Sequence, residues 1–261
     1  MIRALRAALL ALAAVATPPG AARSPRLAVA AAPAPALPDG ISRVGEGALV
    51  LRPAALPAGA RPLLVLFHGA GMSARQMLAG LAPEARRCGC LMLAVDSRGT
   101  TWDLITATRT TGRRGTARLD SLFDDDATRV EAALSTLLAS PLVDRRQVAL
   151  VGFSDGASYA LSLALANPGL VRGAVAIAPG FHLEPAAIDP AQRLFIAHSP
   201  RDRVLSFENS RDRIVGSLRN AGFDPVFHIY DGGHSIDPAV VAIGVDHVLG
   251  PRLSTSLGAS E

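Results

Sequence analysis

A chain of 261 residues, 49% hydrophobic and 18% charged, can bury a single α/β-sized core without metal or disulfide staples. Its two cysteines exclude a disulfide framework and a Cys-rich zinc site, and no apolar run reaches the ~18 residues of a spanning helix. The isoelectric point near 10.0 reflects a basic set made only of arginine, not a large charge: 26 arginines against 22 acids leave +4. With those arginines scattered and aromatics at 4%, no nucleic-acid groove is expected.

In chain order, residues 1–22 read as an export signal, with Arg3 and Arg6 before the apolar run Ala7–Ala16 and small residues before Ala22. That places the chain outside the cytoplasm, secreted or periplasmic, without stable membrane insertion. Residues 23–39 are Ala/Pro-rich and read as a linker, 40–250 as the folded domain, and 251–261 as a tail. No internal repeat is visible.

Within 40–250, strands are predicted at Leu63–Phe67, Leu91–Val95, Val148–Val151, Ala174–Ala178, Leu194–Ala197 and Val226–Tyr230. Several are apolar at consecutive positions, as parallel strands covered on both faces are. Helical stripes fall at Val130/Leu134/Leu137/Leu138, at Ile214/Val215/Leu218, and at Val241/Val245/Val248/Leu249 after Asp237-Pro238. The alternation predicts an α/β fold, a mostly parallel sheet with helices on both faces, whose ligands bind beyond the C-terminal strand ends.

Those strand ends carry the chemistry. Gly152-Phe153-Ser154-Asp155-Gly156 lies between a strand and a helix, where glycines two residues either side let a serine occupy a sharp turn. Phe67-His68-Gly69-Ala70-Gly71 offers a small turn whose Ala70 amide, with that of Asp155, can hold an oxyanion. His198-Ser199-Pro200-Arg201-Asp202 and Asp231-Gly232-Gly233-His234 also follow strands. Ser154, Asp202 and His234 then stand in the chain order of a nucleophile, acid and base on such a sheet. His68, His182, His228 and His247 read as structural, and Glu208 and Asp212 as solvent-facing.

On LFHGAGM, SRGTTWD, VDRRQVALVGFSDGA, HSPRDRVLS and YDGGHSI, the chain from about Arg61 to Leu249 resembles the α/β-hydrolase superfamily. The likeness is to its phospholipase/carboxylesterase and polyhydroxyalkanoate-depolymerase-like esterase branches. It implies a serine ester hydrolase without cofactor or metal, with Ser154, Asp202 and His234 as triad and Ala70 and Asp155 as oxyanion donors. Ser199 departs from the glycine that often follows the histidine, and Asp155 from the usual Gln, Asn or Ala.

The span Gly180–Gln192 is too short for a large lid, so an open site for small or moderate acyl esters is expected, with Trp102, Phe181, Leu205 and Ile236 as candidate lining. Extracellular polyester or feruloyl esters are the second reading, and a non-catalytic binding module the third. The long Asp96–Asp120 connection, with Arg109, Arg113, Arg114 and Arg118, reads as a solvated basic loop, and Asp124-Asp125-Asp126 as charge complementing a helix start. For Cys88 and Cys90, buried thiols and a local disulfide both remain open.

Overall fold

The computed structural model describes residues 26–56, 58–111, 124–185 and 187–250. The stretches read as an export signal and a C-terminal tail lie outside them, as do Arg113, Arg114, Arg118 and the side chain of Arg109.

Segments such as Leu63-Leu64-Val65-Leu66-Phe67 have no polar face to give to water, so both sides of their sheet must be covered. They are covered. Eight strands form one sheet: β1 (Gly40–Arg43), β2 (Ala48–Arg52), β3 (Arg61–Phe67), β4 (Leu91–Val95), β5 (Val143–Phe153), β6 (Gly173–Ile177), β7 (Arg193–His198) and β8 (Val226–Ile229). Their order is β1-β2-β4-β3-β5-β6-β7-β8. The six strands from β3 to β8 run parallel, while β1 and β2 form an antiparallel edge.

Among the described residues six α-helices flank the sheet: α1 (Ala74–Cys88), α2 (Asp103–Thr111), α3 (Asp124–Leu138), α4 (Asp155–Ala166), α5 (Val215–Asn220) and α6 (Pro238–Leu249), with a π-helical turn, Asn209–Ile214, leading into α5. One core layer joins the sheet to α3, α4 and α5 through Leu134, Leu163 and Leu218; the other joins it to α1 and α6 through Leu78, Leu81 and Val245. Arg87 ties α1 to α6, pairing with Glu84 at 2.6 Å and Asp246 at 2.8 Å. Cys88 and Cys90 are joined in a disulfide where α1 turns into β4.

Four features differ from the sequence reading. The edge strands β1 and β2 add an antiparallel extension ahead of the expected first strand, and α1 and α2 fill stretches for which no helical stripe is evident. Asp126, in the first turn of α3, does more than complement the helix start: it is buried and accepts the amides of Arg98 and Asp103, both at 2.8 Å. Finally, residues 26–39 are extended but do not hang free. The Leu27 amide bonds Asn167 Oδ1 at 2.7 Å, that of Ala28 bonds Glu131 Oε2 at 2.7 Å, and that of Ala30 bonds Ser135 Oγ at 3.1 Å. Leu37 is buried in the core. An Ala/Pro-rich strap lies along α3 and the end of α4, because its spaced apolar residues and bare amides find partners there.

Candidate active site

β5 ends at Phe153 and α4 starts at Asp155, leaving Ser154 alone to turn the chain. It does so at φ 56° and ψ −121°, a conformation rare for a side chain with a Cβ. The turn closes because its flanks are bare. A Cβ on Gly152 would lie 2.1 Å from the Gly156 carbonyl oxygen, and one on Gly156 would lie 2.2 Å from that of Phe67. The Ser154 amide bonds Ile177 O at 2.9 Å, pinning the elbow to β6.

Two loops meet this serine. Beyond β8, His234 points Nε2 at Ser154 Oγ, 2.9 Å away, and Nδ1 at Asp202 Oδ2, 2.6 Å away. Asp202, in the turn after β7, has no solvent-exposed side-chain surface. Its Oδ1 accepts the amides of Val204 at 2.8 Å and Leu205 at 3.0 Å. Burial pushes its carboxyl up, but hydrogen bonds from His234, Leu205 and Val204 hold it below the usual carboxylate range. Burial drives the nearby Tyr230 phenol up to about 12, with the Asp202 charge adding to it, so its neutral hydroxyl donates to Ser235 O at 2.8 Å. A hydroxyl, an imidazole and a buried carboxylate in series can generate a nucleophile at neutral pH.

The Ser154 hydroxyl opens into a cleft of about 250 Å³ lined by Gly69, Ala70, Phe153, Asp155, Leu205 and His234. Ala70 and Asp155 thus flank the serine, and Asp155 opens α4, where first-turn amides have no partner within the helix. The Asp155 carboxylate turns aside to accept the Thr101 hydroxyl at 2.7 Å. The cleft shares Asp155, Val204 and Leu205 with a trough of about 1030 Å³, lined also by Phe181 and Ser158. No helix or strand separates Ile177 from Arg193 among the described residues.

Of the four apolar candidates for lining, Phe181 and Leu205 face this trough. Trp102 does not: it is fully buried, stacks on Tyr159 at 4.6 Å and donates its Nε1–H to His68 O at 2.9 Å. It props the His68–Gly71 turn from behind. Ile236 packs on the α1/α6 core layer instead. His68 is a structural hydrogen-bonder, its Nε2 accepting the Ser97 amide at 3.1 Å.

Sequence reasoning missed three polar supports. Ser158 Oγ accepts the Gly180 amide at 2.9 Å and so fixes one trough wall. Ser199 Oγ accepts the amides of Gly233 at 3.0 Å and Arg201 at 3.1 Å, tying the histidine loop to the acid loop. His198 reaches Asp202 itself, at 3.0 Å. For His198 and Ser199, polar residues at the end of β7 are the one available signal, and it does not name the partner; Ser158, inside α4, carries none.

The sheet order and an elbow serine at its C-terminal edge define an α/β hydrolase. Residues 58–231 match the family described as serine aminopeptidase, S33, and the chain belongs to that family. It is similar to esterase YpfH of Escherichia coli (strain K12), 27% identical over 203 residues that cover 72% of this chain and 82% of that protein. Among solved structures it resembles a carboxylesterase from Mesorhizobium loti (22% identity, TM-score 0.53, 78% of this chain and 94% of that one). It also resembles a phospholipase/carboxylesterase from Dyadobacter fermentans DSM 18053 (15% identity, TM-score 0.57, 81% and 100%). Both likenesses are of fold.

Proposed function

We propose that the chain is a serine carboxylic ester hydrolase acting through an acyl-enzyme on small to moderate acyl esters. The observation that carries this reading is the unbroken chain of hydrogen bonds from Asp202 through His234 to Ser154, 2.6 and 2.9 Å long, at the mouth of an open cleft. With Nδ1–H donated to Asp202, His234 Nε2 presents its lone pair to the serine proton. Ser154 Oγ attacks the ester carbonyl as His234 takes that proton. The Ala70 and Asp155 amides hold the oxyanion, and collapse returns the proton to the departing alcohol. Water, deprotonated by the same imidazole, then releases the acid. The similarity to esterase YpfH supports ester over amide chemistry, and the short connection from Ile177 to Arg193, without helix or strand among its described residues, supports substrates of modest size. Residues 1–22, read as an export signal, support an enzyme acting outside the cytoplasm on a small-molecule or polymeric ester.

Ser154→Ala should lower p-nitrophenyl butyrate hydrolysis at least ~10³-fold with the fold intact, and a fluorophosphonate should label Ser154 in the wild type. Undiminished hydrolysis by clean variant protein rejects the assignment. Failure of both labelling and hydrolysis across esters and amino-acid anilides favours a binding module.

A further inference from the structure

Resting on that reading of the triad, we propose that His198 is a positioning residue, a second histidine whose Nε2–H holds Asp202 in the orientation that receives His234. An ionised carboxylate has about four lone-pair directions. On Asp202 all are engaged: Oδ1 by the Val204 and Leu205 amides, and Oδ2 by His234 Nδ1 at 2.6 Å and His198 Nε2 at 3.0 Å. Remove His198 and one of the two bonds fixing Oδ2 disappears, in a place where neither side chain has solvent-exposed surface to recruit water.

Proton counting fixes the direction of the bond. His198 Nε2 faces two groups that can only accept, Asp202 Oδ2 and, at 3.2 Å, the Leu205 carbonyl, so this nitrogen carries hydrogen. On the other side, Nδ1 lies 2.7 Å from Ser210 Oγ, itself 2.9 Å from Pro179 O. If the ring is neutral, the Ser210 hydroxyl donates to Nδ1. If it is charged, Nδ1–H donates to Ser210, whose hydroxyl turns to Pro179 O. In both states the hydrogen facing Asp202 stays, so the carboxylate is held whatever the charge on His198. Burial lowers the pKa of this imidazole against the pull of Asp202; the neutral Nε2–H tautomer is therefore the resting form. The Phe207 ring closes the site edge-on at 6.1 Å.

Loss of this donor has two effects. The carboxylate gains freedom to rotate away from Nδ1, which costs orientation at the serine. More of its charge also falls on His234, favouring imidazolium over free base. Besides His198 on β7, the titratable groups facing Asp202 are His234 and Tyr230 from the β8 side, with Asp237 acting on Tyr230. The acidic limb belongs to this coupled set, not to one residue.

The test compares wild type, His198→Phe and His198→Gln on p-nitrophenyl acetate across pH, with thermal melts to verify folding. Glutamine sets an amide N–H close to where Nε2–H stood. His198→Phe should lower kcat about 10- to 100-fold with KM changed less than about threefold, and should move the acidic limb of kcat/KM to higher pH. His198→Gln should recover most of both. A folded His198→Phe with wild-type kcat and an unmoved limb overturns the proposal, as does a fall in kcat with no limb movement and no recovery in His198→Gln. Should His198→Phe not fold, ¹⁵N-histidine NMR of the wild type decides: hydrogen on His198 Nε2 supports the assignment, and a bare Nε2 overturns it. Ser154→Ala run in parallel separates the two readings, since its retained activity would reject the triad while leaving the His198 tautomer measured.

Discussion

Ser154 holds a left-handed conformation that costs on the order of 1–3 kcal/mol, and it persists because neighbours on both sides over-determine it. One of them is Gly156, whose missing Cβ makes room for the Phe67 and His68 carbonyls. Gly156→Ala should therefore push α4 off β3, costing over ~3 kcal/mol by overpacking and lowering esterase turnover more than ~100-fold; denaturant melts and a p-nitrophenyl ester assay check both. That Ser154, Asp202 and His234 come together could be anticipated from sequence because each is marked by its covalent neighbours: Gly-x-Ser-x-Gly, a strand end with Asp202, a Gly-Gly turn before His234. Trp102 carries no such mark. Whether an indole after a strand end lines a cleft or props it from behind depends on Tyr159 and His68, which reach it only through the fold. His198 was hidden for the same reason.

At the scale of elements, α2 and α3 cap one another. Asp126 accepts the Asp103 amide at 2.8 Å and Asp103 accepts the Asp126 amide at 3.1 Å, so each carboxylate satisfies the start of the other's helix. Burial raises the Asp103 carboxyl from 3.8 to about 6, with the Asp126 charge adding to the effect. A raised carboxyl binds its proton more tightly folded than unfolded, so its contribution is fully present below about pH 4 and is lost as pH climbs through about 6. Asp103→Asn cannot make that change. Its stability deficit relative to wild type should shrink between pH 4 and 7 by on the order of 1–2 kcal/mol once screening on the exposed side is counted, read from urea melts at each pH. Such reciprocal capping is illegible in sequence, where the Asp run looks like ordinary first-turn charge. The parallel strands were legible because complete burial forces an unbroken apolar run. β1, four residues long and largely exposed, lacks that signature; β2 does carry a buried apolar run, Ala48–Leu51, which the sequence reading did not take as a strand; and α1 contains Gly80 and Pro83, which blur its stripe.

Taken whole, the molecule distributes the proposed site along the sheet: β3 leads to the Ala70 turn, β5 to Ser154, β7 to Asp202 and β8 to His234. The strap of residues 26–39 belongs to the opposite end. It bonds Asn167, which caps the far end of the helix that begins beside Ser154, roughly 18 Å away by helix rise. A chain starting at Gly40 should melt about 5–10 °C below one starting at Arg26, mainly through loss of buried Leu37, with specific activity at 25 °C nearly unchanged; differential scanning calorimetry beside an ester assay tests this. Since the sequence holds no lysine, no side chain in it offers a primary amine. Reagents that acylate amines to fix a protein to a bead or film would thus leave every surface around the reactive mouth untouched.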